Sequence, residues 1–232
     1  MRRFTLSDLK QTPAKQLGVW TTADPEWHEL RATRGVVSGT MAGSISGLSK
    51  WESAVDLWEK KTGRVSSEIP QTESMYWGSR LESVILDEFQ LRHESLTVLT
   101  DCGTWIGADE WSLANPDGLV KLPDGSIRLL EIKTAAYPYG WNVPPEGVTG
   151  DSEDVPKHYQ SQVQWYLRVL GLESATLVAL FGGSKYREFT IHADPHWQNA
   201  DYELAEMFRR AVLDDRKPDW PGAATRLETR KN

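Results

Sequence analysis

Apolar residues recur at helical spacing in four stretches of the chain and at alternating or continuous spacing between them. Ser49 with Glu52 forms a capping-box pattern, and Trp51, Val55 and Trp58 follow at helical intervals. A helix is therefore expected to run to about Lys61 and stop at Gly63. A second is predicted from Thr72 to Arg92, with Trp77, Leu81, Val84, Ile85 and Phe89 as its apolar stripe and Glu82 at the stripe's margin. From Ser95 to Lys133 the pattern changes to short strands: LTVLT, TWIGA, LANPDGLV and IRLLEIK. The last two are joined by the turn Pro123-Asp124-Gly125-Ser126. A helix from about Pro156 to Leu170 stops at Gly171. A hairpin follows, ATLVALFG and KYREFTIH, turning around Gly182-Gly183-Ser184, and a last amphipathic helix spans Pro195 to Leu213.

This order predicts one α/β domain over residues 1–232. A basic, irregular arm is expected at 1–23 and a tail at 214–232. The Pro- and Gly-rich segment 137–156 is too long for a simple connection and is a candidate functional loop. Within it, Trp141 could stack on a base or pack against a neighbour. The hydrophobic fraction of 39% and charged fraction of 25% suit a chain with one substantial core. No run approaches the ~18 apolar residues of a membrane helix, and no apolar segment follows the two arginines at the start as a secretory signal requires. Cys102 is the single cysteine, which excludes an internal disulfide and a cysteine-based metal site within one chain, so a reducing, cytoplasmic setting is expected. The net charge of −7 argues against a chain that coats nucleic acid non-specifically. It leaves room for an enzyme that encloses DNA in a local basic channel.

The strand LLEIKTA adds chemistry to this outline. Strand side chains alternate faces, so Leu130 and Ile132 point one way and Glu131 and Lys133 the other. A lone Glu-x-Lys pair is commonly an ion pair on a solvated face. Here Asp117, between Pro116 and Gly118, lies on the preceding hairpin arm and can be brought close to Glu131. Two carboxylates with the Ile132 backbone carbonyl form an oxygen ligand set for Mg²⁺, and a lysine beside them can orient water or offset developing charge. Glu82 could supply a third carboxylate. Tyr159, Gln162 and Tyr166 share one helical face, which suggests glutamine directed at a polar site. Arg31 and Arg34 precede Ser38 and Thr40 at an expected helix start, a combination that can hold a phosphate or serve as an ordinary N-cap.

The set Gly78…Glu82, Pro116-Asp117-Gly118, Glu131-Ile132-Lys133 and Tyr159…Gln162-Val163-Gln164 resembles the PD-(D/E)XK nuclease superfamily. Within it, the chain is similar to the YqaJ-like viral recombinase, or lambda exonuclease, family. WHELR, WGSRLE, PDGL, LEIK and QVQ occur in that family's order between about Trp27 and Leu170. The resemblance implies a restriction-endonuclease-like core, with a central mixed, mostly antiparallel sheet flanked by helices. It implies that Asp117 and Glu131 bind one or two Mg²⁺ ions, for which Mn²⁺ can substitute, with Glu82 as an accessory carboxylate. Lys133 would assist the attacking water and Gln162 would support the site. Arg31 matches the family's 5′-phosphate arginine and Thr40 its hydroxyl, but an insertion after Arg31 leaves Ser38 and Arg34 as alternatives. Asn115 stands where a serine is usual, and Asp109 corresponds imperfectly to a further acidic residue. The implied activity is 5′→3′ digestion of one strand of linear double-stranded DNA, leaving a 3′ tail for a single-strand annealing recombination protein. A homotrimeric ring, no membrane association, and the cytoplasm of a bacterial host if phage-encoded complete the expectation. An endonuclease on the same core and a catalytically silent DNA-end-binding protein are the alternatives.

Overall fold

The computed structural model describes residues 1–9, 12–20, 24–67 and 70–224. Along the chain the regular elements are β1 (Arg2–Arg3), β2 (Lys15–Gly18), α1 (Pro25–Ala32), β3 (Val37–Ser38), α2 (Gly39–Ile45), α3 (Ala54–Lys61) and α4 (Glu73–Arg92). Then come β4 (Thr97–Thr100), β5 (Thr104–Ile106), β6 (Ser112–Ala114), β7 (Gly118–Lys121) and β8 (Ile127–Ala135). The chain continues through α5 (Lys157–Leu170), β9 (Ser174–Phe181), β10 (Lys185–His192) and α6 (Pro195–Leu213).

The strands divide between two sheets. One has the order β1-β4-β7-β8-β9-β10, the other β2-β5-β6-β3. In the larger sheet β4–β7, β7–β8 and β9–β10 pair antiparallel, while β1–β4 and β8–β9 pair parallel. This is the mixed, mostly antiparallel sheet flanked by helices that the resemblance implies. The smaller sheet was not foreseen. TWIGA marks β5, but β2 and β3 are two to four residues long, too short for alternation to be read from sequence, and nothing local shows that these strands form a sheet of their own. LANPDGLV is accordingly not one strand. Asn115-Pro116-Asp117 breaks it, sending β6 to the smaller sheet and β7 to the larger.

Both faces of the larger sheet are covered. Ile85, Leu86 and Phe89 of α4 pack on Val98, Val120, Leu130, Ile132 and Val178. Each such side chain stabilises the fold by roughly 1.5–3 kcal/mol on burial. The other face meets α5, and this larger core continues through α2, α6 and the smaller sheet. Buried Asp201 ties three helices together: it accepts hydrogen bonds from Ser46 Oγ at 2.6 Å, Ser161 Oγ at 2.6 Å and Trp197 Nε1 at 2.9 Å.

Two helix expectations need correction. The N-cap of α3 is Ser53, which forms a capping box with Asp56, and not Ser49. Ser49 Oγ accepts only from the backbone of Trp51 and Glu52, in a turn ahead of the helix. The box that holds is the one whose first turns bury Ala54, Leu57 and Trp58. On α4, Trp77 and Val84 are 57% and 58% exposed, and the inward stripe is Ile85, Leu86 and Phe89. Trp77 and Val84 are seven residues apart and share a face, but it is the outer one; periodicity alone does not say which apolar stripe meets the sheet. The arm at 1–23 is not irregular where described, since β1 extends the larger sheet and β2 the smaller. Residues 10–11, 21–23 and 225–232, within the expected arm and tail, lie outside the described residues. The loop at 137–156 is anchored by Trp141, which packs on Tyr159, Phe181 and Phe189 at centroid distances of 5.5, 5.2 and 5.1 Å. No helix among the described residues is long and apolar enough to cross a membrane.

Candidate active site

The alternation along β8 sorts its side chains as expected. Leu130 and Ile132 enter the core beneath α4, while Glu131 and Lys133 face α5. The β7–β8 ladder ends at the pair Gly118–Leu130. Just beyond it, Asp117 Oδ2 accepts the Ile132 backbone N–H at 2.7 Å. A strand residue directs its N–H and C=O to the same side, so the Ile132 carbonyl lies on the Asp117 edge, beyond the last ladder pair. The short Pro-Asp break thus places Asp117 next to Glu131, which is 1% exposed.

Glu131 Oε1 accepts from Lys133 Nζ and from Gln162 Nε2, both at 2.6 Å. Gln162 lies one helical turn from Tyr166, whose hydroxyl oxygen is 3.4 Å from Gln162 Nε2. Lys133 also sits 5.3 Å from the centre of the Tyr159 ring. Tyr159, Gln162 and Tyr166 therefore line one face of α5 toward β8. By contrast, Gln160 and Gln164 bind the backbone carbonyls of Val155 and His192. The second carboxylate oxygen, Glu131 Oε2, is buried and has no hydrogen-bond partner.

Three carboxyl groups converge here. Burial, then the Asp117 charge, pushes Glu82 up to about 7, with Lys133 partly opposing. Burial also raises Asp117, against the pull of Lys133 and the Ile132 N–H. Glu131 is raised by burial and by Asp117, with Lys133 opposing. Burial works against the Lys133 ammonium, but Glu131 and Asp117 outweigh it and keep the lysine charged. One ammonium among three carboxyl groups leaves the cluster short of positive charge. Among the described residues no three His, Cys, Asp or Glu side chains stand together as a ready-made metal cage. The set nevertheless fits a hard divalent cation: its donors are oxygens, and Glu131 Oε2 is a buried acceptor without a donor.

A second group lies across α2. Arg31 donates to Thr40 Oγ1 at 2.7 Å, and Ser38 Oγ lies 3.1 Å from the same atom. Arg31 also stacks 4.5 Å over the Trp27 ring, and no carboxylate among the described residues pairs with it. Ser38 is the N-cap residue of α2 and is buried, whereas Thr40 is exposed. Arg34 is not brought to them. It donates to the Val212 carbonyl and lies 3.8 Å from Asp215. Asp109 is also absent from the site. Its oxygens accept from Trp111 N, Ser112 N, Ser112 Oγ and Tyr202 Oη, which fixes the β5–β6 turn. Asn115 donates to Thr104 Oγ1 at 2.5 Å.

Sequence reasoning missed Lys61. Its buried ammonium donates to the carbonyls of Arg31, at 2.5 Å, and Thr33, at 3.1 Å, at the carboxyl end of α1. Burial, then the Arg31 charge, lowers it to about 8. The available sequence signal was its place in the last turn of α3, where a basic residue is ordinary, so nothing pointed thirty residues back.

With this geometry in view, comparison with known proteins is specific. In Bacillus subtilis (strain 168), the YqaJ protein is 31% identical over 191 residues, which cover 82% of this chain and 54% of YqaJ. The chain thus spans about half the length of that relative. The alkaline exonuclease LHK-Exo of Laribacter hongkongensis shares the fold, with a TM-score of 0.59 at 16% identity, over 83% of this chain and 94% of that one. The structure of LHK-Exo in complex with dAMP aligns equally well, with a TM-score of 0.60. Residues 26–173 match the YqaJ-like viral recombinase domain, and the chain belongs to that family.

Proposed function

We propose that this protein is a metal-dependent deoxyribonuclease that digests one strand of linear duplex DNA from its 5′ end. The observation that carries this reading is the orphaned Glu131 Oε2, buried beside Asp117 in a cluster deficient in positive charge. Asp117, Glu131 and the Ile132 carbonyl, with Glu82 at the margin, would hold one or two Mg²⁺ ions, or Mn²⁺ in their place. Such an ion polarises the phosphate and favours ionisation of water.

The remaining roles belong to the chain. Gln162 and Lys133 share Glu131 Oε1, which fixes the carboxylate's orientation and directs Oε2 away from both donors. The Lys133 ammonium stabilises the negative charge that builds on the phosphate as water attacks. Arg31 and Thr40 hold the terminal 5′-phosphate. In hydrolysis the water oxygen bonds to phosphorus, the P–O3′ bond breaks, and O3′ leaves as a hydroxyl after gaining a proton. The shortened strand then carries a new 5′-phosphate, the group Arg31 grips, so each cycle regenerates its own substrate end.

The reading extends to a 3′ single-stranded tail passed to a single-strand annealing recombination protein, and to a homotrimeric ring around the DNA. Family membership supports both, and a ring needs a basic lining only in its channel, which accommodates the net charge of −7. The bacterial cytoplasm is the compartment where such ends occur.

End-labelled linear duplex with Mg²⁺ tests the reading directly. Digestion should proceed from 5′ ends and spare a covalently closed circle; linearisation of the circle would instead indicate an endonuclease. Glu131→Ala or Lys133→Ala should abolish digestion while DNA binding, read by gel shift, persists. Undiminished digestion by either variant would sink the assignment of the site.

A further inference from the structure

The helix that carries Arg31 is held only weakly by apolar packing. No residue of α1 is buried, although the next two helices, α2 and α3, both send side chains into the core. What fixes the carboxyl end of α1 is polar. Lys61, in the last turn of α3, reaches the carbonyls of Arg31 and Thr33 at 2.5 and 3.1 Å. The last carbonyls of a helix lack partners within it, so this contact caps α1 from another element.

A neutral donor would cap the same carbonyls without burying a charge. Lys61 is only 9% exposed, and burial, then the Arg31 charge, works against its ammonium. At about 8 its pKa still leaves it charged at neutral pH. Among the described residues no carboxylate pairs with Lys61 or with Arg31. The fold thus gathers two cations without a counter-charge at one end of α1. One of them stands at the root of the arginine whose guanidinium reaches Thr40.

We infer that Lys61 is a positioning residue for the DNA end: its grip on the Arg31 and Thr33 carbonyls fixes where the Arg31 guanidinium stands, and its charge adds to the preference for a 5′-phosphate over a 5′-hydroxyl. The inference rests on the phosphate pocket of the nuclease reading and deepens it. Lys61 does not touch the phosphate. It acts through the backbone of Arg31 and through a field that its buried surroundings screen weakly. A terminal phosphate, with about −1.5 to −2 charge at neutral pH, would compensate both cations at once. A hydroxyl end compensates neither.

The test is equilibrium binding of the full chain, in EDTA at pH 7, to one linear duplex carrying either 5′-phosphate or 5′-hydroxyl ends. The quantity read is the ratio of the two affinities, and a melting curve certifies that each variant is folded. Lys61→Met keeps most of the apolar stem but removes donor and charge, and should reduce the ratio about 10-fold. Lys61→Gln keeps an amide donor without the charge, should reduce it roughly 5-fold, and serves where the methionine variant does not fold. Lys61→Arg restores both features and should hold the ratio within about two-fold of the parent. A purely structural cap would weaken both duplexes alike and leave the ratio unchanged in Lys61→Met and Lys61→Gln; that result overturns the inference. A ratio that falls equally in Lys61→Arg would assign the effect to packing and overturn it too. If the parent binds both duplexes equally, the phosphate pocket falls and the inference with it. If Arg31→Ala erases a preference that the methionine and glutamine variants keep, Lys61 alone is excluded. Digestion with Mg²⁺ is scored apart: a preference that depends on Lys61 in a parent chain that digests nothing would defeat the nuclease reading and leave the phosphate site standing.

Discussion

Arg31 is held from three directions: its guanidinium by Thr40 and the Trp27 ring, and its carbonyl by Lys61. Its pKa is lowered by burial, with Tyr166 opposing, yet a guanidinium stays protonated at any ordinary pH. A fixed, partly desolvated cation with no carboxylate partner among the described residues is suited to a phosphate. Arg31→Ala should slow digestion of 5′-phosphorylated ends by about 10-fold or more while barely affecting 5′-hydroxyl ends. Equal slowing of both substrates would remove Arg31 from the phosphate pocket. Residue identities at the site were legible where a local rule applied. Alternation on β8 separated Glu131 from Ile132, and helical spacing on α5 put Gln162 beside Tyr159 and Tyr166. Arg34, offered as an alternative for the phosphate, is drawn away by Val212, 178 residues on, and Asp109, an imperfect match from the start, is held by its own turn at Trp111 and Ser112 and by Tyr202. No local pattern shows the distant partner of Arg34.

At the scale of elements, glycine determines how closely α2 can approach α5. A Cβ on Gly39 would overlap the Tyr166 ring, just as one on Gly43 would press on His158. Tyr166 is buried and anchors the face that presents Gln162, so it cannot simply turn aside. Gly39→Ala should therefore cost about 1–3 kcal/mol of stability by overpacking, and lower activity as well because Ser38 and Thr40 move with the helix start. Thermal denaturation checks the first effect, and a fully stable variant would contradict this packing account. Long elements such as α4, α5 and α6 were legible because many turns repeat one pattern. Strands β2 and β3 were not, because two to four residues cannot establish a period; β5 was read within TWIGA and β6 in part within LANPDGLV, but not the separate sheet they join.

At the scale of the molecule, the N-terminus is stitched to the edge of the larger sheet by charge. Arg2 pairs with Asp8, and Lys121 Nζ lies 3.7 Å from Asp8. The Arg2 hydrogen bond, against some desolvation and with help from Thr5, lowers the Asp8 carboxyl from 3.8 to about 2. Because the folded value is depressed, this stabilisation is fully present above pH 3.8 and is lost as pH falls through about 2. Arg2→Ala should thus lower the denaturation midpoint at pH 6 and have progressively less effect as the pH approaches 2. A destabilisation independent of pH would assign the loss to packing.

The orphaned oxygen of Glu131 has a consequence for the fold as well as for the chemistry. Whatever cation the native cluster accepts is absent from the unfolded chain's repertoire, since Asp117 and Glu131 are neighbours only through the β7–β8 ladder. On the proposed metal reading, mass action makes the divalent ion a folding ligand. At 100 times its dissociation constant it should add about 2.7 kcal/mol to stability, and EDTA should withdraw that increment. Glu131→Gln should abolish the dependence of melting temperature on Mg²⁺; a midpoint that rises with Mg²⁺ equally in that variant would locate the ion elsewhere. The melting temperature of this protein would then report free divalent ion, with no DNA in the tube.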